Sequence, residues 1–154
     1  MFRPFKKGDA VDGGGVFGIV EEITILTTVL RSPDNKSIIV PNSQVMGGAI
    51  TNFSTNPTRR VDLVIGCGYD DDLKKVRSVI EEILDNDERI LKDPAYTIGL
   101  SELGDSSVNF VVRPWVNAAD YWGVNFDTQE SVFNRFGEEG ISIPYPQTDV
   151  HLFP

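Results

Sequence analysis

Gly140-Ile141-Ser142-Ile143-Pro144-Tyr145-Pro146-Gln147-Thr148-Asp149-Val150-His151-Leu152 is the stretch on which the reading of the fold turns. Gly140 ends a helical pattern, and Ile141 and Ile143 alternate as in a half-buried strand. Pro144 and Pro146 stop that strand, because neither can donate to a ladder. A second short extended run then places Val150 and Leu152 on one side, and the prolines forbid a tight hairpin back onto Ile141-Ile143. A lone strand is not stable in water. Either this tail is disordered or it pairs with the same tail of other copies. We read it as an assembly element whose strand carries Gln147, Asp149, Val150, His151 and Leu152.

Upstream of the tail, Val61 to Ile65 reads as a strand ending at Gly66-Cys67-Gly68. Leu73, Val76, Ile80, Ile83 and Leu84 recur at helical spacing, which predicts a helix from about Asp72 to Asp85. Asp70, Asp71 and Asp72 sit at its cap and first turn, where carboxylates accept free N–H groups. A metal site is the weaker reading of these aspartates, because consecutive side chains diverge. Thr97 to Leu103 and Val108 to Arg113 form two strands about the Gly104-Asp105 turn, and Asn117 to Asp120 form a capping region. A second helix spans about Tyr121 to Phe136, and its face of Trp122, Phe126, Val132, Phe133 and Phe136 is expected in the core. With Ile141-Ile143 as the last strand the order is β-α-β-β-α-β, the split unit of ferredoxin-like domains.

The first segment is different in kind. Gly13-Gly14-Gly15 marks a turn or a sharp strand bend; it lacks the Gly-Lys-Ser/Thr ending and following helix of a phosphate loop. Val16 to Leu30 is rich in Val, Ile and Thr and reads as strand, interrupted at Glu21-Glu22 by a turn or bulge. Ser32-Pro33-Asp34-Asn35-Lys36 signals a hairpin, returning as Ser37 to Val40 and ending at Pro41-Asn42. Ser43 to Gly48 has room for one helical turn, and Ala49 to Phe53 is a last short strand. About five short strands with tight turns suggest a small barrel. Ser54 to Thr58 is a linker.

Composition narrows the function classes. The 154 residues are 40% hydrophobic and 24% charged, as in a soluble globular protein, and Cys67 is the one cysteine, which fits a reducing compartment. No apolar run approaches the ~18–20 residues that cross a bilayer, and the start is not a signal peptide. Residues 1–58 carry five basic and five acidic residues, and the remainder carries nine basic and 18 acidic. That acidic balance argues against a nucleic-acid partner. His151 is the one histidine, so a Ser-His-Asp or Cys-His arrangement would have to be built on the tail. No catalytic residue, metal or cofactor is expected.

Arg3-Pro4-Phe5-Lys6-Lys7-Gly8-Asp9, Pro41-Asn42, Asn52-Phe53-Ser54, Arg59-Arg60, Gly66-Cys67-Gly68-Tyr69-Asp70, Arg89 to Pro94, Tyr121-Trp122 and above all Gly140 to Val150 resemble the small-conductance mechanosensitive channel family. The resemblance implies two small domains. An all-β Sm-like (SH3-like) barrel with linker would occupy residues 1–58, and an α+β ferredoxin-like domain residues 59–143. Residues 144–154 would supply a C-terminal strand to an intersubunit β-barrel. Family members carry membrane helices before this point, so the expectation is a soluble cytoplasmic fragment from the inner face of the membrane, without its channel part. The resemblance further implies a homoheptamer forming a hollow vestibule beneath the transmembrane pore helices, through whose side portals ions and small osmolytes pass on hypo-osmotic shock. Arg59, Arg60 and Asp62 would line or border the portals, and the loop of Asn42 and Ser43 would project toward the pore. Two other readings stand beside it: a soluble homo-oligomeric binding or regulatory module without transport, and a small hydrolase of the acylphosphatase kind. The hydrolase would need an arginine in an anion loop, and Gly66 to Tyr69 contains none.

Overall fold

The structure, a computed structural model, describes residues 4–153; Arg3 of the Arg3-Pro4-Phe5 motif lies outside the described residues. The chain divides into two compact units between Pro57 and Thr58. The first contains β1 (Ala10–Gly13), β2 (Val16–Ile23), β3 (Thr27–Arg31), β4 (Ser37–Pro41), one helical turn α1 (Asn42–Val45) and β5 (Thr51–Asn52). All pairings are antiparallel in the order β4-β3-β2-β1-β5. Gly13 faces Val16 across the β1–β2 ladder, and between them Gly14 and Gly15 take φ of 62° and 79°. Two successive positive φ values are what a two-residue type I′ hairpin needs, and glycine adopts them without a Cβ clash. The Glu21-Glu22 interruption is a bulge, the register slipping between Val20 and Glu22. The turn itself comes later, where Thr24 N–H donates to the Thr27 carbonyl at 2.8 Å. Phe5, Val11, Val20, Leu30, Val40 and Val45 form the core of this unit. The order leaves β4 and β5 as the outer strands, with no ladder between them among the described residues.

The second unit contains β6 (Thr58–Arg60), β7 (Leu63–Cys67), α2 (Leu73–Asp85), β8 (Thr97–Leu103), β9 (Val108–Arg113), β10 (Trp115–Asn117) and α3 (Tyr121–Glu139). Asp72 caps α2, its carboxylate accepting from the Lys74 N–H at 3.0 Å. The sheet order is β7-β9-β8, with β6 and β10 as a separate two-stranded ribbon. Leu63, Ile65, Cys67, Val108, Phe110 and Val112 point to one face and are buried with Val76, Ile80 and Leu84 of α2 and Val124, Val132 and Phe136 of α3. Burying Phe110 or Phe136 stabilises the unit by about 2–3 kcal/mol relative to exposure.

Three expectations are corrected. First, the strand over Ile141-Ile143 is not formed. Gly140, at φ 69°, turns the chain out of α3, and Ile141 N–H returns to the Phe136 carbonyl at 2.8 Å. The Ser142 N–H is then taken at 3.0 Å by the Asp71 carboxylate, which also accepts from Gly68 N–H at 2.7 Å. Gly68 permits this approach, since a Cβ there would stand 3.2 Å from Ser142 Cβ.

Second, the aromatic face of α3 is not uniformly core. Val124, Thr128, Val132 and Phe136, spaced by four, are buried, whereas Trp122, Phe126 and Phe133 are exposed. The helix carries two apolar stripes, and the sheet covers one. Third, the capping region expected over Asn117 to Asp120 begins in a strand: Trp115 to Asn117 pairs with β6, and neither Asn117 nor Asp120 makes a side-chain cap hydrogen bond. Replacing Asp71 by Ala should remove the acceptor of two backbone N–H groups, one exposed and one half-buried, and lower stability by about 1–2 kcal/mol. Urea denaturation measures the loss, and faster proteolysis within residues 140–150 should accompany it.

Candidate functional site

The candidate site is built on the β6–β10 ribbon. Trp115 faces Arg60, Val116 faces Arg59 and Asn117 faces Thr58. Fully buried Val61 and Val116 anchor the ribbon, and Val61 N–H donates to the Pro114 carbonyl at 2.8 Å. Residues two apart on an extended chain share a side, so Arg60 reaches Asp62. Arg60 Nε lies 2.6 Å from Asp62 Oδ1 and Arg60 Nη2 lies 3.1 Å from Oδ2, a bidentate fork. Hydrogen bonding to Asp62 pushes the Arg60 guanidinium above its ordinary value. The β7–β9 register, with Leu63 opposite Val112, brings Arg113 to the same carboxylate, Nε 3.9 Å from Asp62 Oδ1. Arg59 turns to the other side, its guanidinium 3.7 Å above the Tyr121 ring.

Arg60 and Asp62 are thus brought together, and Arg59 is separated from them. Sequence reading missed Arg113 and Tyr121. The signal for Arg113 was its place one residue before Pro114, at the end of a strand that must pair with β7. Two guanidinium groups, those of Arg60 and Arg113, around the one carboxylate of Asp62 make a locally positive surface on an otherwise acidic unit.

Asn42 does something more local than the loop reading suggests. Its Oδ1 accepts from buried Thr28 Oγ1 at 2.7 Å, and its Nδ2 donates to the carbonyls of Thr24 at 2.9 Å and Ile25 at 3.1 Å. Its backbone N–H donates to the Leu26 carbonyl at 2.8 Å. Asn42 therefore clamps the β2–β3 turn, at whose tip Ile25 and Leu26 are 89% and 77% exposed. Ser43, one residue on, is exposed.

In the tail, Gln147 N–H donates to Ser106 Oγ at 3.0 Å, and Gln147 Nε2 donates to the Tyr145 carbonyl. Asp149, Val150, His151 and Leu152 are exposed and in no strand. A second charged cluster lies where α2 ends: Arg89 is held by Asp87 and by Asp127 of α3, each at 2.9 Å. The Arg89 hydrogen bonds hold the Asp87 carboxyl below its usual range. Burial, and then the Asp71 charge, push the Cys67 thiol up, away from a reactive thiolate. Among the described residues no group of three or more His, Cys, Asp or Glu is placed to hold a metal ion.

Residues 61–143 match the family described as "Mechanosensitive ion channel MscS, C-terminal", and residues 1–55 match "Mechanosensitive ion channel, beta-domain". The chain belongs to the MscS family of mechanosensitive ion channels. The small-conductance mechanosensitive channel of Edwardsiella ictaluri is 47% identical over 99% of this chain and 54% of its own length. An uncharacterized MscS family protein of Synechocystis is 45% identical over 99% of this chain and 51% of its own length. The chain thus spans about half the length of the curated relatives it matches. The closed-state crystal structure of Helicobacter pylori MscS superposes with a TM-score of 0.91 at 32% identity, covering 98% of this chain and 60% of that one. Arabidopsis MSL1 shares the fold at a TM-score of 0.72. MscS is a family of membrane channels rather than of enzymes, and no described helix of this member is long and apolar enough to cross a membrane.

Two outcomes follow from the charges. Exposed ion pairs contribute little, so Asp62→Ala should change the free energy of unfolding by less than about 1 kcal/mol. A larger loss in urea titration would mean that Asp62 carries the ribbon. Asp87, with its pKa depressed by folding, stabilises the native state above the unfolded carboxylate value of about 4 and loses that contribution as pH falls further. Asp87→Asn should therefore flatten the decline of melting temperature below about pH 4.

Proposed function

We propose that this chain is the vestibule part of a tension-gated, small-conductance channel of the MscS family, on the cytoplasmic side of the inner membrane. The observation that carries the reading is the succession of the two channel-family segments over its two structural units. Residues 1–58 form the Sm-like ring element with its linker. The order β5-β1-β2-β3-β4, with the bulge in β2 bending the sheet, supports that assignment. Residues 59–143 form the ferredoxin-like wall. The order β7-β9-β8 supports it as strands one, three and two of the split unit, with the place beside β7 left vacant. Residues 144–154 supply one strand to a parallel barrel between copies. The exposure of Val150 and Leu152, 74% and 89%, supports this, because closure between copies is what would cover them.

The assembly is a homo-oligomer, a heptamer on the family resemblance, which encloses a cage beneath the pore helices of the whole protein. Membrane tension opens the pore, and ions and small osmolytes leave through side portals and the cage. Arg59, Arg60 and Asp62, joined by Arg113, border the portals, where repetition of the cluster in every subunit biases which ions pass. The Asn42-Ser43 loop and the Ile25-Leu26 tip that Asn42 holds face the pore helices.

The test is electrical. The complete gene, with whatever precedes Met1, is expressed in cells lacking their own tension-gated channels, and patches are stretched. Stretch-activated currents are expected, and Asp62→Arg should move the reversal potential toward that of the anion. No stretch-activated current overturns the channel reading. An unmoved reversal potential overturns the portal assignment alone.

A further inference from the structure

Thr128 of α3 is a buried polar side chain, only 2% exposed, and its hydroxyl has no hydrogen-bond partner among the described residues. Buried polar groups are paired as a rule. The two in the first unit obey it: Thr28 is spent on Asn42, and Asp9 accepts from Asn52. Thr128 instead borders a hollow of about 580 Å³ between the end of α2 and the middle of α3. That volume lies within the roughly 300–1,000 Å³ of small-molecule sites.

The wall of this hollow holds unspent donors and acceptors. Thr128, Ser131 and Arg135 stand at steps of three and four, so they share one face of α3. Ser131 is half-buried and likewise has no hydrogen-bond partner among the described residues. Arg135 donates from Nη2 to Glu82 at 2.7 Å, while its Nε stands 3.9 Å from Glu138, beyond a hydrogen bond. Asp127 accepts from Arg89 at Oδ2 and keeps Oδ1. A carboxylate has about four lone-pair sites, so it can accept more.

The charges, by contrast, are already matched. Arg89 lies 2.9 Å from both Asp87 and Asp127, and Arg135 has Glu82, Glu139 and Glu138 within 4 Å. An incoming carboxylate or phosphate would meet no unopposed cation. An incoming cation would compete with Arg89 for its two aspartates. A hydroxyl both donates and accepts, and it disturbs neither set of pairs.

We propose that this hollow binds a small neutral solute rich in hydroxyl groups, a polyol or a sugar. Thr128 and Ser131 hydrogen-bond it at the buried end, Arg135 donates to it, and Asp127 accepts from it. The site lies wholly within the second unit, so it does not depend on the channel reading or on assembly.

Sorbitol and trehalose are titrated into the whole chain, and their binding is read by ligand-observed saturation-transfer NMR. A signal saturating at millimolar concentration is expected for at least one of them. Thr128→Val and Ser131→Ala should each weaken it about tenfold, the loss of one hydrogen bond. Thr128→Val should keep or raise the melting temperature, since a methyl replaces an unpaired buried hydroxyl, and the half-buried Ser131→Ala carries the test if it does not. Such solutes also stabilise proteins by exclusion from their surface. A melting temperature that climbs with solute while no signal saturates therefore overturns the proposal, as does saturable binding that both variants leave unchanged. Putrescine and inorganic sulfate are titrated alongside, and tighter binding of either overturns the assignment to a neutral solute.

Discussion

The Asp71 carboxylate holds two backbone N–H groups from opposite ends of the second unit, Gly68 after β7 and Ser142 after α3. Much of the rest depends on that junction. It joins the chain leaving the sheet to the chain leaving the last helix, beside the Asp72 cap that starts α2. It also takes the Ser142 N–H, which is then not available to a strand over Ile141-Ile143. Once that N–H is committed, the prolines that follow cannot replace it. The chain therefore leaves the unit extended, with Val150 and Leu152 exposed and no strand over Ile141-Ile143.

The same incompleteness appears elsewhere in this unit. The helices cover one face of the β7-β9-β8 sheet, and only the Val124-Thr128-Val132-Phe136 stripe of α3 is used in doing so. Strand edges, a second helical stripe and an aliphatic overhang on β8 are left over. On the homo-oligomer reading proposed above, these leftovers are where neighbours would finish the burial, and the acidic excess of residues 59–154 sets the charge against which a cluster such as Arg60-Asp62-Arg113 stands out.

Much of the fold was legible from local chemistry. The Gly14-Gly15 turn, the Ser32 to Lys36 hairpin, the Asp72 cap and the Gly140 stop each rest on a backbone requirement that one or two residue types meet, and each appears where the sequence places it. The site was legible in part. Arg60 and Asp62 could be paired from their spacing on an extended chain, while Arg113 could not, because its approach depends on the β7–β9 register. The role of Asn42 was also hidden: its partners, Thr24, Ile25 and Thr28, lie more than a dozen residues away, and nothing local distinguishes a clamp from a loop tip.

By itself, then, the sequence determined the order of elements, their caps and turns, and the likeness to a channel family, because these depend on interactions within a few residues and on motifs read as text. Tertiary structure decided which apolar stripe of α3 is core, that Trp115 to Asn117 is a strand, and that Ile141-Ile143 is not. The physical reason is common to all three. Periodicity shows that a face is apolar, but only the packed sheet shows which face it has room to cover; alternation shows that a segment can be extended, but only the competing acceptor on Asp71 shows where its N–H groups go.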